Sequence, residues 1–267
     1  MKLTFALLSI LLALLSGCGG SPADNGASAV PKPLLVGMEL AYPPFETTDT
    51  AGAPTGISVD LAHALGAHLG RAVSIENTPF DGLIPALKTG RIDCIISSMT
   101  ATEERASSID FSEPYLKIGL AVLARSQGPV ATPEDLAKPG VKIAVKLATT
   151  GHVYAQEHLP QAELLVLNKE SACVLEVVQG KADAFIYDQL SVYRHWSEHQ
   201  EACVALLKPL RVEQWAIGIR KGNVELTTGI NAFLAAYREQ GGFDALAEKY
   251  LATEKAFFAA QGQPFVF

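Results

Sequence analysis

From residue 34 onward, short apolar runs alternate along the chain with segments of helical periodicity. The apolar runs are typical of buried strands and are Leu34–Met38, Val73–Glu76, Ile92–Ile96, Val141–Val145, Leu164–Leu167 and Ala184–Tyr187. Apolar residues at helical spacing lie between them, with glycines at positions 90 and 180 predicted to follow two helix ends. Strands that alternate with helices predict βαβ units, and therefore mainly parallel sheets with helices on both faces.

The first residues have the pattern of an export signal. Lys2 precedes an apolar run, residues 3–15, that is shorter than the about 20 residues of a membrane-spanning helix but typical of a signal peptide. The run ends in Leu-Ser-Gly-Cys18, which resembles the lipobox of bacterial lipoproteins, where the cysteine is acylated. We predict a lipoprotein signal peptide over residues 1–17, a lipid anchor on Cys18, and a flexible tether over residues 18–33.

Composition changes this picture little. The chain has 49% hydrophobic residues, a net charge of −7 and a pI of about 5.4, which argues against nucleic acid as a partner. No two of the four cysteines have metal-ligand spacing, so we predict no metal site. Cys94 is predicted to be a buried thiol, while Cys173 and Cys203 either form a disulfide or stay reduced.

One phrase occurs twice in the chain, as ALKTGRIDCIISS and as VVQGKADAFIYD. Aligning the two glycines places Asp93 on Asp183 and Ser98 on Asp188. The repeat suggests two α/β lobes of similar build, each with polar residues just beyond the carboxyl end of a strand. Ligands bind at that edge in open α/β sheets.

The densest chemical signal lies in residues 97–123. Ser97, Ser98 and Thr100 supply hydroxyl groups directly after a predicted buried strand, and Arg105 follows on the next predicted helix. Arginine is suited to holding a carboxylate through two parallel hydrogen bonds. These residues are therefore candidates for an anion-binding site.

Four segments together resemble the polar amino-acid family of bacterial ABC-transporter solute-binding proteins: AYPPFE, GISVDLAHAL, PFDGLIPALKTGRIDCIISSMTATEERASSIDFSEPYL and WAIGIRKGN. The resemblance covers nearly all of residues 34–255. It implies a periplasmic-binding-protein-like α/β fold of two lobes with ligand in the cleft between them. We expect lobe 1 over residues 34–115 plus 212–267, lobe 2 over 119–207, and hinge strands over 115–119 and 207–211.

The resemblance also implies how the ligand backbone is held. The residue matching Arg105 binds the α-carboxylate, those matching Ser98 and Thr100 help bind both backbone groups, and the acid matching Asp188 binds the α-ammonium. A zwitterion needs one fixed cation and one fixed anion, and Arg105 and Asp188 would supply them from different lobes. Because buried charges are costly to desolvate, ligand binding would favour closure of the cleft.

A second backbone contact is implied at Thr149 and Thr150. The turn at this position offers amides at a helix start, which is a favourable place for a carboxylate. Ala148 stands where the family usually has glycine, and its extra bulk would narrow the approach of the backbone to the ligand.

Four residues are expected to select the ligand side chain. Tyr42 and Phe80 match an aromatic pair that sandwiches the side chain in relatives that bind glutamine or basic amino acids. Glu39 matches an acid at the side-chain end of the pocket and favours a cationic group, whereas Lys146 matches a lysine of glutamine-binding relatives. We predict a glutamine-like polar ligand first and a basic one, arginine, lysine or histidine, second.

The function expected from these residues is that of an exported, lipid-anchored receptor of an ABC importer. Its partners would be a free amino acid, a permease in the inner membrane and the bilayer itself; no cofactor is expected, and the chain is predicted to be a monomer and not an enzyme. The alternative is a cyclohexadienyl or arogenate dehydratase-like enzyme on the same fold, with Glu39 and Asp188 as its available carboxylates. Formation of phenylpyruvate from prephenate distinguishes the two.

Overall fold

The structure of the protein is a computed structural model that describes residues 31–262. The predicted signal peptide, the lipid-anchor cysteine Cys18 and most of the predicted tether lie outside the described residues, as do residues 263–267. Within residues 31–262, every helix is too short or too polar to cross a membrane.

The secondary structure follows the predicted alternation of strands and helices. The strands are β1 Leu34–Met38, β2 Thr47–Thr48, β3 Pro54–Thr55, β4 Val73–Asn77, β5 Cys94–Ile95, β6 Asp110–Phe111, β7 Leu116–Arg125, β8 Lys142–Lys146, β9 Glu163–Leu167, β10 Ala184–Asp188, β11 Cys203–Trp215 and β12 Gly218–Ile219. The helices are α1 Ile57–His68, α2 Leu83–Lys88, α3 Glu103–Ser108, α4 Thr150–His158, α5 Glu170–Val178, α6 Gln189–Glu198, α7 Val224–Glu239 and α8 Gly242–Ala260. All six predicted strands are present, although the third is shortened from 92–96 to the two residues of β5.

Two five-stranded sheets form the two lobes, with strand orders β4-β1-β5-β12-β6 and β11-β7-β10-β8-β9. Strand β12 is antiparallel to both of its neighbours, and so is β7, whereas the remaining neighbours are parallel. Four of the five strands in each sheet therefore run in one direction. The predicted two-lobe α/β fold with mainly parallel sheets is confirmed.

The pair formed by β7 and β11 runs through the segments predicted to be hinges. The two strands are antiparallel from Trp215 opposite Leu116 to Cys203 opposite Arg125, and their register slips between Leu206 and Arg211. This irregular stretch coincides with the predicted hinge segment 207–211. The exact lobe boundaries stay a prediction.

Gln189, the first residue of α6, connects both of these strands. Its side chain accepts a hydrogen bond from the Gly119 amide of β7 at 2.8 Å and donates one to the Leu207 carbonyl of β11 at 2.7 Å. A Cβ atom at Gly119 would lie only 2.5 Å from the Gln189 Oε1 atom, so a larger residue there would push the glutamine away. The start of α6 is thereby tied to both strands that join the lobes.

The repeated phrase gives the two lobes matching contacts. Asp93 accepts hydrogen bonds from the Leu35 amide of β1 at 3.1 Å and from Arg71 at 2.7 Å. Asp183 likewise accepts from the Lys142 amide of β8 at 3.0 Å and from Arg125 at 2.7 Å. In both lobes the repeated aspartate therefore fixes the central strand to its parallel neighbour, which is a structural role rather than a ligand-binding one.

Hydrophobic packing covers both faces of each sheet. Leu120 and Val122 of β7 face one buried cluster, while Ala121 and Leu123 face another, as alternation along a strand requires. Cys94 is buried in the lobe 1 core, as predicted. Cys173 and Cys203 both lie buried in the second of the lobe 2 clusters and are free thiols, so the disulfide considered from the sequence is not formed in this structure.

Candidate functional site

A polar pocket lies between the lobes at the carboxyl ends of β1, β5, β8 and β10. All eleven residues predicted to bind ligand line it: Glu39, Tyr42, Phe80, Ser97, Ser98, Thr100, Arg105, Lys146, Thr149, Thr150 and Asp188. Five further residues complete the lining: Glu46, Leu120, Tyr187, Glu213 and Trp215. The structure thus brings every predicted site residue to one place, while their contacts with ligand stay predictions. Across residues 31–262, no three His, Cys, Asp or Glu side chains are grouped as metal ligands.

Arg105 points from helix α3 into this pocket. The Thr102 side chain caps the helix by accepting a hydrogen bond from the Arg105 amide at 3.2 Å. The guanidinium donates to the Thr100 carbonyl at 2.8 Å and, across the cleft, to the Ala148 carbonyl at 2.9 Å, and it lies 5.4 Å from the centre of the Phe80 ring. Burial lowers the pKa of Arg105 from its ordinary value. Because a guanidinium has five N–H donors, it retains donors for a carboxylate.

Asp188 is held at the end of β10 as the N-cap of α6. One carboxylate oxygen, Oδ1, accepts from the amides of Leu190 at 3.1 Å and Ser191 at 3.0 Å. The other, Oδ2, accepts from the Tyr42 hydroxyl of lobe 1 at 2.6 Å. Burial raises the pKa of Asp188 to about 6, so the carboxylate is mainly ionised at neutral pH. This carboxylate has the position and charge to receive an ammonium group in the pocket.

Tyr42 has a different part in the site from the one expected. The Phe45 ring stacks on its ring at a centroid distance of 5.3 Å, and the Arg194 guanidinium lies 5.9 Å from its centre. Only 4% of Tyr42 is exposed, so other protein groups cover nearly all of the surface of its ring. Tyr42 therefore presents its hydroxyl to the pocket. In this structure its ring faces pack against protein groups, so they do not form one side of the expected aromatic sandwich with Phe80.

Glu39 and Lys146 face each other across the cleft and form an ion pair in which the ammonium donates to Glu39 Oε2. Lys146 ends strand β8 and is 2% exposed, and its ammonium lies 5.2 Å from the centre of the Phe80 ring. The ammonium of Lys146 is therefore inside the cleft and does not extend to solvent. Phe80 lies beneath two cations, Lys146 and Arg105.

The start of α4 lies where the ligand is predicted to contact backbone amides, at Thr149 and Thr150. Thr149 is the N-cap of this helix, and both it and Thr150 are buried. The preceding residue, Ala148, has a φ of 61°, in the left-handed region that favours glycine. Glycine adopts this conformation without steric cost, which agrees with the glycine that the resemblance implies at this position. The Ala148 carbonyl accepts a hydrogen bond from Arg105.

Glu213 was missed by the sequence analysis. It lies on the crossing strand β11, and its Oε2 atom accepts hydrogen bonds from Thr100 of lobe 1 at 2.9 Å and Thr150 of lobe 2 at 2.8 Å. Its other oxygen accepts from Arg211 at 2.8 Å. Trp215 lies on the same strand and also lines the pocket. Their position on the strand that crosses between lobes is the signal that could have identified both residues.

Glu46 is the second acid that the sequence analysis missed, although it ends the AYPPFE segment. It is 1% exposed and accepts hydrogen bonds from the hydroxyls of Ser58 at 2.6 Å, Ser98 at 3.0 Å and Ser97 at 3.2 Å. Ser98 adopts a φ of 49° and is thus held in a strained conformation beside the pocket. Glu46 therefore fixes the orientation of two serine hydroxyls that line the pocket.

Comparison with known proteins places the chain in a family. The sequence profile of the bacterial extracellular solute-binding proteins, family 3, matches residues 34–253, and the chain belongs to this family of binding proteins. It is 28% identical over 223 residues to the L-cystine-binding protein TcyJ of Escherichia coli, covering 83% of each chain. It is 31% identical over 248 residues to an L-arginine-binding protein of Pseudomonas aeruginosa, covering 90% of this chain and 95% of the relative.

Solved structures that resemble this chain belong to the same class, the amino-acid-binding proteins. The ancestral amino acid-binding protein AncCDT-1, a precursor of cyclohexadienyl dehydratase, is 37% identical with a TM-score of 0.74, over 81% of this chain and 94% of that one. An ancestral arginine-binding protein bound to glutamine is 32% identical with a TM-score of 0.76, over 82% of this chain and 97% of that one. The fold is therefore that of two-lobe amino-acid-binding proteins.

The buried carboxyl of Glu46 gives a pH-dependent prediction. Burial raises its pKa from 4.5 to about 8. The folded chain therefore binds this proton more tightly than the unfolded chain, and the associated stability is lost as the pH rises from about 4.5 to about 8. Glu46→Gln cannot ionise, so it should lose less stability than the wild type between about pH 5 and pH 8. Urea unfolding at both pH values measures the difference.

Glu201→Gln is the matched control because Glu201 is an exposed glutamate without a side-chain partner among the described residues. This control should lose as much stability as the wild type over the same pH range. An equal loss in Glu46→Gln and the wild type would contradict the protonation of Glu46 in the folded chain.

Proposed function

We propose that the chain is the extracytoplasmic receptor of an ABC importer and binds a free α-amino acid by closing its two lobes. The observation that carries the proposal is that Arg105 of lobe 1 and Asp188 of lobe 2 line the same pocket. One is a fixed cation and the other a fixed anion. An α-amino acid carries the complementary pair of charges on adjacent atoms of its backbone.

Ligand binding would use donors that the protein leaves available. The α-carboxylate would accept hydrogen bonds from Arg105 and from the amides at the start of α4, and the positive end of that helix favours an anion. The α-ammonium would donate to Asp188, where the Tyr42 hydroxyl now donates. Because these groups belong to both lobes, a zwitterion binds the closed cleft better than the open one and shifts the population toward it.

Arg105→Ala tests this arrangement. In the wild type, excess ligand should stabilise the folded protein by a few kcal/mol, about 2.7 kcal/mol at a hundredfold excess over Kd. Arg105→Ala should remove most of the rise in Tm, because the α-carboxylate loses its charged partner. Thermal unfolding with a panel of free amino acids, including L-glutamine and L-arginine, measures both effects.

Arg91→Ala is the matched control, since Arg91 lies in lobe 1 outside the pocket and, within residues 31–262, its side chain donates a hydrogen bond to Thr78 at 3.2 Å. This variant should keep the full ligand-dependent shift. If no amino acid raises the Tm of the wild type, the proposed function is wrong.

The charges around the pocket favour a neutral polar side chain. Arg105 and Asp188 are used by the ligand backbone, and Glu213 is paired with Arg211 at 2.8 Å. Glu46 is largely protonated at neutral pH, since its pKa is about 8. The remaining pair, Glu39 and Lys146, offers one acceptor and one donor with no net charge. A carboxamide, as in glutamine, matches this pair without leaving a buried charge unpaired.

A basic ligand is the second candidate. Glu39 and the Phe80 ring would favour a guanidinium or ammonium group, and one relative is an arginine-binding protein. The Lys146 ammonium opposes it, because a second cation would have to share Glu39. The same fold accommodates both ligand types, since an ancestral arginine-binding protein has been solved with glutamine bound.

The variant Lys146→Met tests which of these two ligand types the pocket selects. Methionine keeps the length and apolar stem of lysine but removes the charge, which leaves Glu39 free for a cationic side chain. The ratio of affinities for L-arginine over L-glutamine should rise by about tenfold or more, as measured by calorimetric titration. The double variant with Glu39→Gln should lose this gain.

The control is Lys142→Met, on the opposite end of the same strand, where the lysine is exposed and lies 3.5 Å from Glu163. This variant should keep the wild-type ratio. An unchanged ratio in Lys146→Met would show that Lys146 does not contribute to side-chain selectivity.

We infer that the chain is a receptor and not an enzyme. A dehydratase needs a carboxyl group that can donate a proton in the cleft. Asp188 is bonded to two amides and to Tyr42. Glu46 has the raised pKa of a proton donor, which is the one feature that favours the alternative, but its carboxyl is 1% exposed and is already hydrogen-bonded to three serine hydroxyls. Phenylpyruvate release from prephenate would establish the dehydratase instead.

The anchor and the partners of the receptor are also part of the proposal. Acylated Cys18 would hold the monomeric protein on the outer face of a membrane, near the permease of the inner membrane. Cys18→Ser should move the mature protein from the membrane fraction to the soluble fraction, while leaving amino-acid binding unchanged. Fractionation followed by immunoblotting measures this, and membrane association of Cys18→Ser would contradict the lipid anchor.

A further inference from the structure

Two serine hydroxyls that line the polar pocket have their hydrogens directed at a buried carboxyl group. Ser97 donates to Glu46 Oε1 at 3.2 Å, and Ser98 donates to Glu46 Oε2 at 3.0 Å. A hydroxyl group has one hydrogen and two acceptor lone pairs. While both hydrogens are directed at Glu46, each serine side chain can offer a ligand only an acceptor.

The protonation of Glu46 changes the number of hydrogens available in this cluster. An ionised carboxylate only accepts hydrogen bonds, and Ser58 on α1 donates to Glu46 as well, at 2.6 Å. A protonated carboxyl group has one hydrogen of its own, which it donates to one of the three serines. That serine no longer has to donate to Glu46, so its own hydrogen is available to another acceptor.

Ser98 is the serine best placed to give this hydrogen to a ligand. Ser58 and Ser97 are buried, whereas Ser98 is partly exposed and lines the pocket. Ser98 lies two residues before Thr100, whose carbonyl accepts a hydrogen bond from the Arg105 guanidinium. Ser98 and Arg105 therefore belong to the same wall of the pocket, where the α-carboxylate of the ligand is expected.

We propose that the proton on Glu46 is part of the binding site, because it is donated to the Ser98 oxygen and so frees the Ser98 hydrogen for the α-carboxylate of the ligand. This inference rests on the proposed function. Ionised Glu46 takes the Ser98 hydrogen back and leaves a lone pair facing the carboxylate, which weakens binding. Glu46 is thus a positioning residue that acts through Ser98, and it couples ligand binding to proton uptake at alkaline pH.

The surroundings of Glu46 support this role. Burial raises its pKa to about 8, and the charge of Lys146, at the end of β8, opposes this shift only weakly because Lys146 is paired with Glu39. Tyr115, just before β7, and Tyr187 of β10 also interact with the Glu46 charge. Burial raises the pKa of both tyrosines well above their ordinary range, so they stay neutral while Glu46 ionises between pH 7 and pH 9.

The experiment is calorimetric titration with L-glutamine, and with L-arginine in parallel, at pH 7 and pH 9. Glu46 is about 90% protonated at pH 7 and about 10% at pH 9, and the apparent affinity scales with the protonated fraction, so the wild type should bind about tenfold more weakly at pH 9. Asp188, with a pKa of about 6, stays ionised at both pH values. Titration at pH 9 in two buffers of different ionisation enthalpy should show proton uptake on binding.

Three variants assign the effect to the contact between Glu46 and Ser98. Glu46→Gln should lose the pH dependence, because a carboxamide donates to Ser98 at every pH; the small remaining change comes from the ligand's own ammonium and is common to all variants. Ser98→Ala should bind more weakly at pH 7 and also lose the pH dependence. Ser58→Ala removes a donor to Glu46 outside the pocket, so it should raise the pKa of Glu46 and move the loss of affinity to higher pH.

Glu201→Gln is the control, since this exposed glutamate lies outside the pocket, and it should lose as much affinity as the wild type. An equal loss in Glu46→Gln and the wild type, or equal wild-type affinities at both pH values, would overturn the role of Glu46. If Glu46→Gln does not fold, an equal loss in Ser98→Ala and the wild type overturns it instead. Amino-acid binding then stands if a ligand still raises the Tm, whereas the proposed function itself fails if no amino acid binds at either pH.

Discussion

The binding cleft depends on two opposite charges that lie on separate lobes, each held by hydrogen bonds to protein groups. Asp188 is fixed by two amides at the start of α6 and by the Tyr42 hydroxyl of the other lobe. Arg105 is fixed by one carbonyl from each lobe. An unpaired buried charge costs several kcal/mol. These contacts lower that cost for Arg105 and Asp188 when the cleft is closed without a ligand.

The same contacts connect the cleft to the strands that join the lobes. Gln189 follows Asp188 directly and bridges β7 and β11, so a movement of the Asp188 carboxylate is coupled to both crossing strands. Glu213 of β11 accepts a hydrogen bond from a threonine of each lobe and lines the pocket. The predicted ligand-binding residue Asp188 is thus adjacent to Gln189, which contacts both crossing strands, and the pocket residue Glu213 lies on one of these strands. This arrangement suits a receptor that closes when its ligand binds.

Much of the site could be predicted from local sequence. The alternation of strands and helices placed polar residues at strand ends, and the repeated phrase identified corresponding positions in two lobes. Asp93 and Asp183 show the limit of that inference: they are identical in the two copies, whereas Ser98 aligns with a different residue, Asp188, yet the two aspartates fix strands and do not line the pocket. A repeat shows that two positions are equivalent, but not which of them faces the ligand.

The sequence by itself determined the class of fold, the two-lobe organisation and the eleven residues that meet at the cleft, because these follow from periodicity, from strand ends and from family motifs. Only the tertiary structure decided that Tyr42 offers a hydroxyl, that Lys146 is buried against Glu39, and that Glu46 and Glu213 belong to the site. Each of these depends on contacts between segments far apart in the chain. Such contacts set burial and charge pairing, which the local pattern of hydrophobic and polar residues does not encode.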